Sequence, residues 1–161
     1  MKTKILFLDF DDVLNTSETL ARGELFEKAN IDVLNSVVDR TDPAIVITST
    51  WRVGATVKEL ENLLVDAGVH AFGRVIGSTP YLANRSRGAE IAAWLQQTSP
   101  PAGRFVILDD IPDMGDLNDC LVKTDPRCGL AHNQVEEIVG RLNGGLVEGN
   151  PSPEILGEPA A

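Results

Sequence analysis

Asp9, Asp11 and Asp12 fall within four residues, and five more aspartates, Asp109, Asp110, Asp113, Asp116 and Asp119, fall within residues 109–119. Neither window contains a Lys or Arg. Carboxylates gathered this way repel one another if the fold brings the windows together, and a divalent cation with oxygen ligands is the usual offset. Between them lie a hydroxyl-rich turn, Thr48-Ser49-Thr50, and two cations, Arg85 and Arg87. Carboxylates to hold a metal, a carboxylate nucleophile, hydroxyl donors and a cation together suit phosphoryl transfer.

These residues follow short apolar runs. Lys4-Ile-Leu-Phe-Leu8 stops at Asp9, Ala44–Ile47 at Thr48, Phe105–Leu108 at Asp109, and Leu121-Val122 at Lys123-Thr124. Continuous apolarity over so few residues predicts strands buried on both faces, as in a parallel sheet. Arg74-Val75-Ile76 is a weaker fifth candidate. Helical spacing lies between the runs: Ile31–Val38, Val57–Ala67 with Gly68 as C-cap, Ile91–Leu95 opening near Arg87-Gly88, and Val135–Leu142. Asn15–Asn30 is irregular and reads as a loop or hairpin. The alternation predicts an α/β three-layer sandwich around a parallel sheet of about five strands. In such sheets ligands bind at the carboxyl ends of the strands. If the strands are neighbours, Asp9, Asp11, Thr48, Ser49, Asp109 and Asp110 converge on one crevice. Residues 1–143 form the expected catalytic domain, and 144–161, rich in Gly, Pro and Glu, a flexible tail.

Elsewhere the chain is ordinary: 161 residues, 43% hydrophobic. No apolar run approaches the ~20 residues of a membrane span. The N-terminal run is broken at Asp9, so no signal peptide is expected. Cys120 and Cys128 are too few for a disulfide framework and lack metal-site spacing, which fits a cytoplasmic setting. The 24 acids against 14 bases give a net charge of −10, which, evenly spread, would argue against a nucleic-acid partner. Eight of those acids lie in the two windows, leaving 16 against 14 elsewhere.

Asp9-Phe10-Asp11-Asp12-Val13-Leu14 after an apolar strand resembles the first motif of the haloacid dehalogenase (HAD) superfamily. The Ile-Val-Ile-Thr48 strand end resembles its second motif, Arg87 its third and Asp109-Asp110 its fourth. Ile47-Thr-Ser-Thr-Trp-Arg52, Arg87-Gly-Ala-Glu-Ile-Ala-Ala-Trp-Leu95 and Thr124-Asp-Pro126 are similar to HAD domains of Swiss Army Knife RNA-repair proteins. The resemblance implies a Mg²⁺-dependent phosphomonoester hydrolase. Asp9 would be the nucleophile and Asp11 the acid–base; Thr48 and Arg87 would steady the phosphoryl group. Asp9, Asp109, Asp110 and the Asp11 main-chain carbonyl would hold Mg²⁺, with Asp109 or Asp110 as direct ligand. Asp12 stands where the family often has Gly.

No gap between the motifs is long enough for a cap domain, so an open site is expected. It would accept a nucleotide, a 5′- or 3′-phosphorylated nucleic-acid end or a phosphoprotein. Ser49, Arg52 and Arg85 are substrate-binding candidates, the two arginines balanced between binding phosphate and facing solvent. Trp51 and Trp94 read as packing residues more than base-stacking platforms, and Asp113, Asp116 and Asp119 as surface or capping groups. Two other readings fit clustered acids: a phosphorylatable receiver domain and a metal-dependent ribonuclease. No membrane partner is expected, and the oligomeric state is open.

Overall fold

The computed structural model describes residues 3–100 and 103–144 and the backbone of residues 154–155. Five parallel strands form the centre: β1 (Thr3–Leu8), β2 (Ala44–Ile47), β3 (Val75–Ser78), β4 (Gly103–Asp109) and β5 (Leu121–Lys123), in the order 3-2-1-4-5. All five predicted strands are present. Ile5–Leu8 have no exposed surface, because β1 lies in the middle of the sheet with helices over both faces. Burying such side chains contributes about 1.5–3 kcal/mol each, which is why an unbroken apolar run specifies this position. A short β6 (Glu154–Ile155) pairs antiparallel with Gly103-Arg104 at the start of β4. The rest of the tail, from 145 onward, lies outside the described residues.

The helices are α1 (Ser17–Ala21), α2 (Lys28–Thr41), α3 (Val57–Asp66), α4 (Arg87–Thr98) and α5 (Val135–Asn143). The alternating side chains of each strand divide the core into two halves. Leu6, Leu8, Ile45 and Leu108 pack with α2, α3 and α5 on one face. Ile5, Phe7, Val46 and Ile107 pack with Ile91 and Trp94 of α4 on the other, joined by Met114 and Cys120. Phe7 meets Trp94 and Phe105 edge-on at 5.6 and 5.5 Å, so Trp94 is a packing residue.

The segment expected as a loop or hairpin holds α1 instead. Thr16 caps it by accepting from Thr19 N. Five residues are too few to display a helical period. At the end of α3, Ala67 is the C-cap and Gly68 follows at φ +98°, one position beyond the expected cap. Residues 9–43 carry only α1 and α2, and residues 48–74 only a 3₁₀ turn (Thr50–Arg52) and α3, so no cap domain is inserted. No helix among the described residues is long and apolar enough to cross a membrane.

Candidate active site

The register of the sheet places the chemical groups in one row. Leu8 is paired with both Ile47 and Leu108, so the residues just beyond the strands stand side by side. The ladder runs one step further: Asp9 N donates to Leu108 O at 3.1 Å, Thr48 N to Leu8 O at 2.9 Å, and Thr124 N to Asp109 O at 3.0 Å. Thr79, Thr48, Asp9, Asp109 and Thr124 therefore line the carboxyl edge. The chain leaves β1 toward β2 on one side and reaches β4 on the other, and this reversal of strand order opens a crevice above β1. The 3-2-1-4-5 order also differs from the 2-1-3-4-5 order of the receiver-like fold.

Arg87 ties this row together from the first turn of α4. Its Nη1 lies 3.2 Å from Asp9 Oδ1 and 3.3 Å from Asp109 Oδ2, and donates to Thr48 Oγ1 at 3.4 Å. Ser86 caps α4 by accepting from Ala89 N. Gly88 lets the helix end approach the 113–114 loop: its N–H donates to Asp113 O at 3.0 Å, and a Cβ there would stand 2.3 Å from Met114 O. Only glycine permits that approach, and it sets where Arg87 enters the site.

Asp9 and Asp109 are almost wholly buried, and with the half-buried Asp110 they offer three carboxylate oxygens within 4.8 Å of one another. Asp9 Oδ1 accepts from Phe10 N at 2.9 Å, and Asp109 Oδ1 from Ile111 N at 3.0 Å. Asp109 Oδ2 is buried without a hydrogen-bond partner among the described residues. Burial pushes the Asp9 carboxyl above its ordinary range, partly countered by Arg87. Asp109 is pushed up to about 7, first by burial and then by the Asp9 charge. A buried carboxylate oxygen that faces Arg87 but accepts no hydrogen bond, beside two other carboxylates, is a hard-oxygen set that fits a divalent cation such as Mg²⁺.

Asp11 is turned elsewhere. Trp51 Nε1 donates to its Oδ2 at 3.1 Å and Asn15 Nδ2 to its Oδ1 at 3.2 Å. The Asp11 carboxylate thus stands outside the trio and offers no side-chain ligand there. Asp12 adopts φ +63°, and its carbonyl accepts from Thr124 Oγ1 at 2.8 Å. Burial, followed by the Asp110 and Asp11 charges, raises its carboxyl.

The substrate-binding candidates separate. Arg85 is exposed on the wall of a cavity of about 230 Å³ that also meets Thr50, Tyr81, Arg87, Asp109 and Ile111. Arg52 lines that wall too, but all five of its N–H donors are committed. Nε donates to Thr79 O, Nη1 to Thr48 O and Ser49 O, and Nη2 to Pro80 O and to buried Glu90 at 2.8 Å. Ser49 is buried, and its hydroxyl accepts from Trp51 N at 3.3 Å, capping the 3₁₀ turn. Asp113 is exposed on the same cavity and outside the carboxylate trio, while Asp116 and Asp119 face solvent.

Sequence reasoning missed Asn15, Glu90 and the polar role of Trp51. Glu90 carried a usable signal, an acid on the face of α4 that also bears Ile91 and Trp94. Asn15 and Trp51 carried none, because their contact with Asp11 is made only by the fold.

A family model described as the HAD domain in Swiss Army Knife RNA repair proteins matches residues 5–135. Searches of curated proteins and of solved structures give no significant match.

Proposed function

The chain belongs to the family of HAD domains found in Swiss Army Knife RNA repair proteins, a HAD-type hydrolase family, and on that premise we propose that it is a Mg²⁺-dependent phosphomonoester hydrolase. The observation that carries this reading is Arg87, whose guanidinium meets Asp9, Thr48 and Asp109 at once and so marks the point where a phosphoryl group would sit.

In this reading Asp9 attacks phosphorus with one carboxylate oxygen while the P–O bond to the leaving alcohol breaks. Asp11 gives that oxygen its proton. A water then attacks the phosphorus of the aspartyl-phosphate, passes its proton to Asp11, and releases inorganic phosphate and free Asp9. Thr48 and Arg87 hydrogen-bond the transferring group, where donors aimed at developing charge contribute most. Asp9, Asp109, Asp110 and the Asp11 main-chain carbonyl would hold Mg²⁺, which supplies charge neutralisation to the phosphoryl oxygens when bound. Arg52 and Ser49 position the Thr48 turn, and Arg85 remains available for a second anionic group of the substrate. The uncapped crevice suits a phosphate at the end of a large molecule: a nucleotide or a 5′- or 3′-phosphorylated nucleic-acid end. The reading sets the enzyme in the cytoplasm.

The test is a screen over nucleotides, 5′- and 3′-phosphorylated oligonucleotides and sugar phosphates. Phosphate release is expected with Mg²⁺, lost in EDTA and restored by excess Mg²⁺. Turnover indifferent to chelation would overturn the metal's part in this reading.

A further inference from the structure

We propose that Trp51 and Asn15 are positioning residues for Asp11, each holding one oxygen of its carboxyl group so that it meets the leaving oxygen in a single orientation. The inference rests on the reading of Asp11 as the acid–base group.

Asp11 needs such help. It lies beyond the last residue of β1, in a loop that turns through the left-handed Asp12, so sheet pairing does not fix its side chain. No cap domain closes over it. A carboxyl group that is free to rotate spends little time in a productive geometry, and displacements of about 1 Å are costly to rate.

The two donors are themselves rigid. Asn15 has no exposed surface. Its Nδ2 donates to Leu25 O at 3.0 Å as well as to Asp11, and its Oδ1 accepts from Asp12 N at 2.9 Å. The amide is thereby held at both ends. Trp51 stacks on Phe26 with ring centroids 5.6 Å apart and meets Phe10 edge-on at 5.5 Å. Phe10 lies between Asp9 and Asp11 in the chain, so the aromatic cluster that holds the indole also anchors the loop bearing both carboxylates. Trp51 comes three residues after Thr48, so one turn delivers a phosphoryl donor and a grip on Asp11. Each carboxyl oxygen accepts one bond from these donors, which leaves lone-pair capacity for proton transfer.

Trp51→Phe keeps an aromatic ring, smaller than the indole, against Phe10 and Phe26 and removes the N–H. In the full chain with Mg²⁺, kcat/KM would be measured on p-nitrophenyl phosphate, whose leaving group departs without a proton, and on an alkyl phosphate, whose leaving group requires one. The variant is expected to lose roughly ten-fold on the alkyl ester, the scale of one hydrogen bond to a charged group, and to stay within about two-fold on the aryl ester. The ratio of the two values is independent of how much of the preparation is folded. Asp11→Asn, measured alongside, is expected to show a larger selective loss. If Asp11→Asn is selective but Trp51→Phe loses both substrates equally, or neither, the positioning role is wrong while the acid–base role stands. If Asp11→Asn is not selective, the acid–base role fails and this inference with it.

Discussion

Asp109 carries the electrostatic strain of the site. Its carboxyl is buried beside Asp9 and pushed from the ordinary 3.8 to about 7. Between those values the unfolded chain has released this proton while the folded chain still binds it, so without a metal this group makes stability fall as pH rises from about 4 through 7. Asp109→Asn removes that slope. In EDTA the variant should gain on the wild type between pH 5 and pH 8 by an amount on the order of a few kcal/mol, read as diverging melting curves. Curves that stay parallel would show that Asp109 is not strained. Aspartates 9, 109 and 110 were legible as a set because each directly follows or ends an apolar strand. The grip on Asp11 was not, because Trp51 lies 40 residues away and its contact depends on how the 3₁₀ turn packs beside the loop after β1.

At the level of elements, the turn after β2 and the helix α4 act as one unit through Arg52 and Glu90. Both side chains are buried, and Glu90 also accepts from Leu82 N at 2.9 Å. Removing one member of such a pair strands a charge in the interior, at a cost of about 3–5 kcal/mol. Glu90→Ala should therefore destabilise the fold by that amount in chemical denaturation. Because the pair spans the Thr48 turn and the helix bearing Arg87, kcat should fall as well. A loss under ~1 kcal/mol would mean that Arg52 finds other partners. The strands and the four longer helices were readable from apolar runs and helical spacing. The first short helix was not, since its stability comes from the Thr16 cap and not from a periodic apolar face. The Arg52–Glu90 link was hidden by the 38 residues between its members, and Arg52 alone reads equally well as a phosphate ligand.

For the whole molecule, the two windows that supply eight of the 24 acids both follow central strands, and the sheet order makes those strands neighbours. Of these acids Asp9, Asp109 and Asp110 meet at one edge of the sheet, where Arg87 and a bound cation would offset them, while Asp116 and Asp119 face solvent on the turn before β5. The lack of any inserted domain leaves that edge open, consistent with a large phosphorylated substrate. Transient phosphorylation of Asp9 can be read by acid-quench trapping of enzyme turning over a ³²P-labelled phosphomonoester, followed by peptide mapping. Acid-stable, hydroxylamine-labile label is expected on the peptide containing Asp9, and neither label nor turnover in Asp9→Asn. Full turnover in Asp9→Asn, or label on a peptide that lacks Asp9, would contradict phosphorylation of Asp9.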